Sequence, residues 1–478
     1  MLYNTHTRMP LLYTMHKHWS ERSFGSLFLF IIGILLIFAY ISEWSLWSGL
    51  RVFAHDELLY CESYKIKLSS EGRWLNFLLF PLLRIFNGYI VSLVNTGCLF
   101  VFSLTVLRRF LPCHVGIIAA IATVFFPPVH AMNYWPTTML PSYITILGAS
   151  LLYTRVPKWK LFLGCSLLLN GGLATFYFLI PLLYIGEEKP GDFCRTIIYW
   201  LAFFVVGVAF SELFTLLCCK HWIQPIEYRH FNLVDNIDEL FTNIQRSWQW
   251  MQKALALYGG KLMLLCACIT FVYMYSIFKQ KKRGSIFVVP LLVLVSCSVY
   301  AHATVGGLIV EPRSALCLFF GVFLFCIWTL RRCPLAIGVI SILFSSQMIF
   351  VNSEDIRYWN AIRNVMCDEI MSLPYKATEL KGCALIAEKR EYKNYLDRIA
   401  RNWELTPTIS SLNYLDSWAS IPRECNITGP CLYGCEEQIN KILCIDSSDV
   451  IFTTSGMFQH AKVNGYLILK FSPIGTMK

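Results

Sequence analysis

Ten apolar runs separated by short polar loops set the pattern of the chain up to residue 351: 24–42, 89–107, 115–129, 138–153, 161–185, 196–218, 262–278, 285–303, 314–330 and 335–351. Most approach the ~20 residues that a helix needs to cross a bilayer. The pattern predicts a mainly α, polytopic membrane protein. The first run follows Arg8, Lys17 and Arg22 and ends at Glu43 and Trp44. It lacks the small-residue site at which a signal peptide is cut, so it reads as an uncleaved span.

Composition agrees. Hydrophobic residues make up 56% of the 478 positions and charged ones only 15%, where a soluble domain has about a quarter charged. The net charge of +11 would suit nucleic acid, but the basic residues sit in short clusters between apolar runs. Such clusters act as topology determinants. With no basic groove interleaved with aromatics, nucleic acid is excluded and membrane lipid is the implied partner.

Placing the N-terminus in the cytoplasm puts Arg108–Arg109 and the Arg155, Lys158, Lys160 loop inside and 133–137 outside, as the positive-inside rule prefers. A single crossing by 161–185 would then send the basic residues at 279–283 and Arg331–Arg332 outside. That run is interrupted by Asn170, Gly171 and Gly172, the strongest breaker within any span. Folded there as two half-helices, it enters and leaves on one side, and both basic clusters return to the cytoplasm. The alternative is one long tilted helix whose glycine pair packs on a neighbour. Counting the broken segment, the topology holds ten to eleven spans.

Three outer segments result: 43–88, 220–260 and everything from 352. The division is a membrane domain, 1–351, and a water-facing C-terminal domain, 352–478. The latter holds Cys367, Cys383, Cys425, Cys431, Cys435 and Cys444, an even count that suits disulfides in an oxidising compartment without fixing their pairing. Residues 383–387 and 466–471 read as strands and 356–371 as helix, which predicts a small α/β domain. In 220–260, Phe241, Ile244, Trp248, Met251 and Leu255 recur at helical spacing. They predict an amphipathic outer helix lying on the membrane or on the protein.

Candidate chemistry concentrates in the first outer loop, where His55, Asp56 and Glu57 set a base beside two acids just beyond a span. A carboxylate there can take a proton from an attacking hydroxyl, and acid pairs also coordinate divalent cations. An ordinary polar loop would look the same in isolation. Arg73 beside Trp74 suits a phosphate or an interfacial anchor, and Arg313 a lipid phosphate or simple snorkelling. His130, Asn133, Tyr134 and Trp135 suit sugar stacking or an aromatic belt. Cys431 and Cys435 have poor zinc spacing, and no metal ligand set is assigned.

This layout resembles the GT-C class of integral membrane glycosyltransferases and, more narrowly, the Gtr glucosyl transferases that modify bacterial O-antigen in serotype conversion. The resemblance is carried by Asp56-Glu57, by Gly72, Arg73 and Trp74 ahead of apolar 75–83, by the broken segment with 172–177, and by Glu311, Pro312 and Arg313 opening a late span. It implies an inverting transferase on the periplasmic face of a bacterial inner membrane. Undecaprenyl-phosphate glucose would be the donor and the O-antigen polysaccharide the acceptor. Asp56 and Glu57 would be catalytic, with His55, Arg73, Trp74, Tyr177 and Arg313 binding substrate. A divalent cation is the only cofactor considered. The family often has Asp-Asp where this chain has Asp56-Glu57, so which acid is the base stays open. The competing expectations are a transporter or flippase of lipid-linked sugars, and a sensor whose spans merely anchor it.

Overall fold

The computed structural model describes residues 11–50, 53, 63–187, 189–224, 234–280, 287–307, 310, 314–387, 421–427, 429, 431–444, 450–455 and 458–471. Helices α1 (Leu11–Leu50), α2 (Lys65–Glu71), α3 (Trp74–Leu83), α4 (Gly88–Leu107), α5 (Cys113–Thr123), α6 (Pro127–Met132), α7 (Pro136–Leu152) and α8 (Lys158–Gly171) lead to a 3₁₀ segment, Ala174–Tyr184. Then come α9 (Pro190–Cys219), α10 (Ile237–Ala256), α11 (Gly259–Gln280), α12 (Val288–Gly306), α13 (Leu316–Thr329) and α14 (Pro334–Met371). The chain is mostly helical, and helices that carry the apolar runs pack on one another as α1 on α14, α4 on α7, α8 on α9 and α12 on α13.

Among the described residues, five helices are long and apolar enough to cross a membrane: Gly25–Leu50 of α1, α4, α9, Val288–Val305 of α12, and α14. A sixth counts if α10 and α11, bent by 103° at their junction, are taken together. This is fewer than the ten runs suggest, because several runs fall on shorter helices. Runs 115–129 and 314–330 fall on α5 and α13, helices of 11 and 14 residues. Leu316 to Phe320 of α13 are all buried. These short segments spend their hydrophobicity on other helices, whereas α1 and α9 expose Phe30, Phe38, Val205 and Leu217.

The broken segment is a hairpin. Gly172 ends α8, and the 3₁₀ segment returns along it: Phe162 stacks on Tyr184 at 5.7 Å, and Lys158 Nζ meets Glu187 Oε1 at 2.7 Å. The start and finish of the segment therefore lie at one end of the bundle. That end also gathers other basic loops. Arg109 lies 5.9 Å from the Tyr153 ring, Tyr153 lies 6.3 Å from Tyr184, and Phe110 packs at 5.0 Å on Trp328, which Arg331 covers. The basic residues at 281–283 lie outside the described residues.

At the opposite end α14 runs on past the length of a span. It continues unbroken through 351 and 352 and includes the helix expected at 356–371. Arg363 Nη1 donates to the carbonyls of Gly49 and Leu50, at 2.9 and 3.0 Å, and so caps the C-terminus of α1. Beyond α14 a five-stranded mixed sheet forms from β1 (Gly382–Ile386), β2 (Cys431–Gly434), β3 (Thr453–Ser455), β4 (Phe458–Val463) and β5 (Tyr466–Phe471), in the order β2-β1-β5-β4-β3. β1 is parallel to β2 and β5, while β4 is antiparallel to β3 and β5. One face holds Cys383, Leu385, Leu467 and Leu469 in the main core; the other packs Ala384, Ile386 and Ile468 with Ile439 of α15 (Glu436–Leu443). The strands expected at 383–387 and 466–471 are β1, shifted by one residue, and β5. Cys383, Cys435 and Cys444 are free thiols, and Cys383 lies opposite Cys431 in the parallel ladder.

Candidate functional site

His55, Asp56, Glu57 and Arg313 lie outside the described residues, but the anchors of the first loop do not. Phe53 is buried against Trp47 and Tyr89, and a side chain at Gly88 would strike both Phe53 and Pro136. On the far side of the loop Tyr64 is buried, and its hydroxyl accepts from Asn76 Nδ2 at 3.3 Å. Asn76 also donates to the Thr138 carbonyl at 3.0 Å. Both flanks of the segment that carries Asp56 and Glu57 are thus fixed on the first turns of α3, α4 and α7.

The other expected residues divide between polar and packing roles. Arg73, at the N-cap of α3, pairs with Glu71, which Lys67 also meets at 3.0 Å, and Arg73 Nη1 reaches the Tyr64 hydroxyl at 3.4 Å. Trp74 packs against Phe210 and Phe214 of α9 and covers the hairpin turn so closely that a side chain at Gly171 would overlap its indole. The turn itself is tied by Leu173 N–H donating to Ser142 Oγ at 2.8 Å. Tyr177 is buried between Phe162 and Phe204, and its hydroxyl donates to the Trp200 carbonyl at 2.9 Å. It fastens the hairpin to α9.

The main concentration of buried ionisable groups in the helical bundle was not legible as such. Glu43 of α1, His130 of α6, Tyr134 just beyond α6, and Asn352 and Asp355 of α14 converge, all buried. His130 Nε2 lies 3.2 Å from Asp355 Oδ2, and its Nδ1 lies 3.8 Å from Glu43 Oε1. The Tyr134 hydroxyl donates to Asp355 Oδ2 at 2.9 Å. Asn352 Nδ2 donates to Glu43 Oε1 at 2.8 Å and to the Phe125 carbonyl at the end of α5 at 2.9 Å. Glu43 Oε2, Asn352 Oδ1 and Asp355 Oδ1 are buried with no hydrogen-bond partner among the described residues. Two carboxyl groups around one imidazole inside an apolar bundle are costly to bury, which marks them as a functional candidate. Glu212 of α9 instead accepts from Ile223 N–H at 2.9 Å.

A sequence signal did exist. Asn352 and Asp355 stand three apart on one helical face, and Glu43 closes the first apolar run. His130 and Tyr134, read from the sequence as suiting sugar stacking or an aromatic belt, both meet Asp355. Among the described residues no group of three or more His, Cys, Asp and Glu is arranged to hold a metal ion. No protein-family model matches the chain, and no curated protein or solved structure is significantly similar to it.

Proposed function

We propose that this chain is a multi-pass membrane glycosyltransferase of GT-C type that moves glucose or a related hexose from undecaprenyl-phosphate sugar to O-antigen polysaccharide on the periplasmic face of a bacterial inner membrane. One observation carries the reading. The loop bearing Asp56 and Glu57 is anchored at both flanks, on a polar, mostly buried floor of Arg73, Tyr64 and Asn76 on one side and by apolar packing of Phe53 near Pro136 on the other. Such a floor also ties α3 to α7. A phosphosugar at the membrane surface needs one.

In the proposed step the acceptor hydroxyl oxygen bonds to the anomeric carbon as its proton passes to the Asp56 carboxylate. The bond from that carbon to the phosphate oxygen breaks, and polyprenyl phosphate leaves with the electron pair, so the centre inverts. Glu57 orients the acceptor or holds a divalent cation. Arg73 and Arg313 would bind the phosphate, while Trp74 and Tyr177 hold the broken segment against α9. The test is transfer in isolated membranes from a polyprenyl-phosphate hexose to polysaccharide. Asp56→Asn is expected to lower the rate ~10²–10⁴-fold at normal protein level, with Glu57→Gln milder. Near-normal transfer in both variants and in the double variant would end this reading.

A second reading, a flippase or transporter of lipid-linked sugars, draws on the Glu43–His130–Asp355 group, because intramembrane acids beside a histidine also serve proton relays. Proteoliposomes that translocate the lipid-linked sugar without transferring it would favour that alternative.

A further inference from the structure

Helix α10 presents three faces, and one of them is buried against protein. Asn243, Ser247 and Ala254 are buried, with Thr304 Oγ1 of α12 donating to Ser247 Oγ at 3.0 Å and Gly307, just past α12, beside Asn243. Roughly 100° around the helix, Ile237, Phe241, Ile244 and Trp248 are 71, 65, 45 and 52% exposed. On the third flank Asp238, Thr242, Arg246, Gln249 and Lys253 are exposed as well. An amphipathic helix of a soluble protein turns its apolar stripe to the core. Here Trp250, Met251 and Leu255, toward the C-terminal end, pack partly buried against the core, while the N-terminal part of the stripe, from Ile237 to Trp248, is left open.

A helix held along one flank, apolar on the second and charged on the third, fits a boundary between two solvents. Its orientation agrees. α10 meets α11 at 103°, and α11 is apolar with Leu264 and Phe271 exposed. If α11 follows the membrane normal, α10 lies close to the membrane plane. The elbow is fixed: Gln347 Nε2 donates to the Leu257 carbonyl at 3.2 Å, and Tyr258 stacks on Phe319 at 4.8 Å. α10 and α11 thus each expose apolar side chains on either side of the elbow, and Arg246 and Lys253 on the charged flank suit anionic head groups.

We infer that α10 is a membrane-surface helix, with Ile237, Phe241, Ile244 and Trp248 inserted at the headgroup–acyl boundary and Arg246 and Lys253 in the aqueous layer. The occupant of the stripe is lipid, and the inference does not depend on the transfer chemistry. The full chain, reconstituted in phosphatidylethanolamine–phosphatidylglycerol vesicles, would carry a photo-crosslinking phenylalanine analogue at position 241, 249 or 271 in turn. All three side chains are exposed, so packing is undisturbed. Mass spectrometry should find phospholipid adducts at 241 near the level set by 271, and several-fold fewer at 249. A cross-linked dimer from position 241, or lipid labelling there no higher than at 249, would overturn the assignment.

Discussion

Asp355 meets His130 and Tyr134 through the same oxygen, Oδ2, so one atom ties α14 to α6 and to the residue just beyond it. Removing one partner of a buried hydrogen bond leaves the other unsatisfied, at a cost of about 1–3 kcal/mol. Asp355→Ala should therefore lower the unfolding temperature of the detergent-solubilised protein strongly. Asp355→Asn keeps an acceptor for the Tyr134 hydroxyl and should cost less. Equal losses would argue that volume, not hydrogen bonding, matters there. A second residue-scale expectation concerns His460 of β4, whose Nδ1 lies 3.1 Å from the Tyr375 hydroxyl. Burial holds its pKa below the ordinary range. The folded state thus resists the proton that the unfolded chain accepts near pH 6.5, so the stability it supports is full above that pH and is lost as pH falls below it. Hydrogen exchange in β4 and β5, corrected for intrinsic rates, should quicken between pH 7.5 and 5.5 in the wild type. In His460→Gln that dependence should flatten.

At the scale of elements, the hairpin at 161–185 was legible because two independent signals met there: a charge-parity conflict and an Asn-Gly-Gly breaker. The contact of Lys158 with Glu187 is its structural counterpart. Gly171 has no room for a β-carbon under Trp74, nor Gly207 beside Ser166 and Asn170. Gly171→Ala should destabilise the protein by about 1–3 kcal/mol, and Trp74→Leu in the same chain should restore part of it, read as melting temperature in one detergent. No recovery would mean that the turn, not the indole contact, sets the requirement. The span count was less legible. Hydropathy cannot tell a helix that faces lipid from a short one enclosed by other helices, and α5 and α13 are of the second kind. The Glu43–His130–Asp355 group was hidden for a related reason. Its members stand far apart in sequence, and only the packing of α1 on α14 unites them.

For the whole molecule, the contacts place the loops at Arg109, Lys158 and Arg331 at one end and the α1 C-terminus, α3, the hairpin turn and the sheet at the other. The positive-inside rule predicts that the first end is cytoplasmic. This sidedness can be read from the chain's own thiols. Cys435 and Cys444 of the sheet domain are exposed, whereas Cys383 is enclosed in β1, where burial pushes its thiol well above the ordinary range. Thiolates are the reactive form, so a membrane-impermeant maleimide added to spheroplasts should label Cys435 and Cys444 but spare Cys383 until the protein is unfolded. Cys333, exposed next to Arg331 and Arg332, should react only after the membrane is opened. Labelling of Cys333 and Cys435 from the same side would break the parity that the hairpin restores. The sheet domain and the loop carrying Asp56 would then no longer share a face with the periplasmic acceptor, and the proposed transfer would lose its geometry.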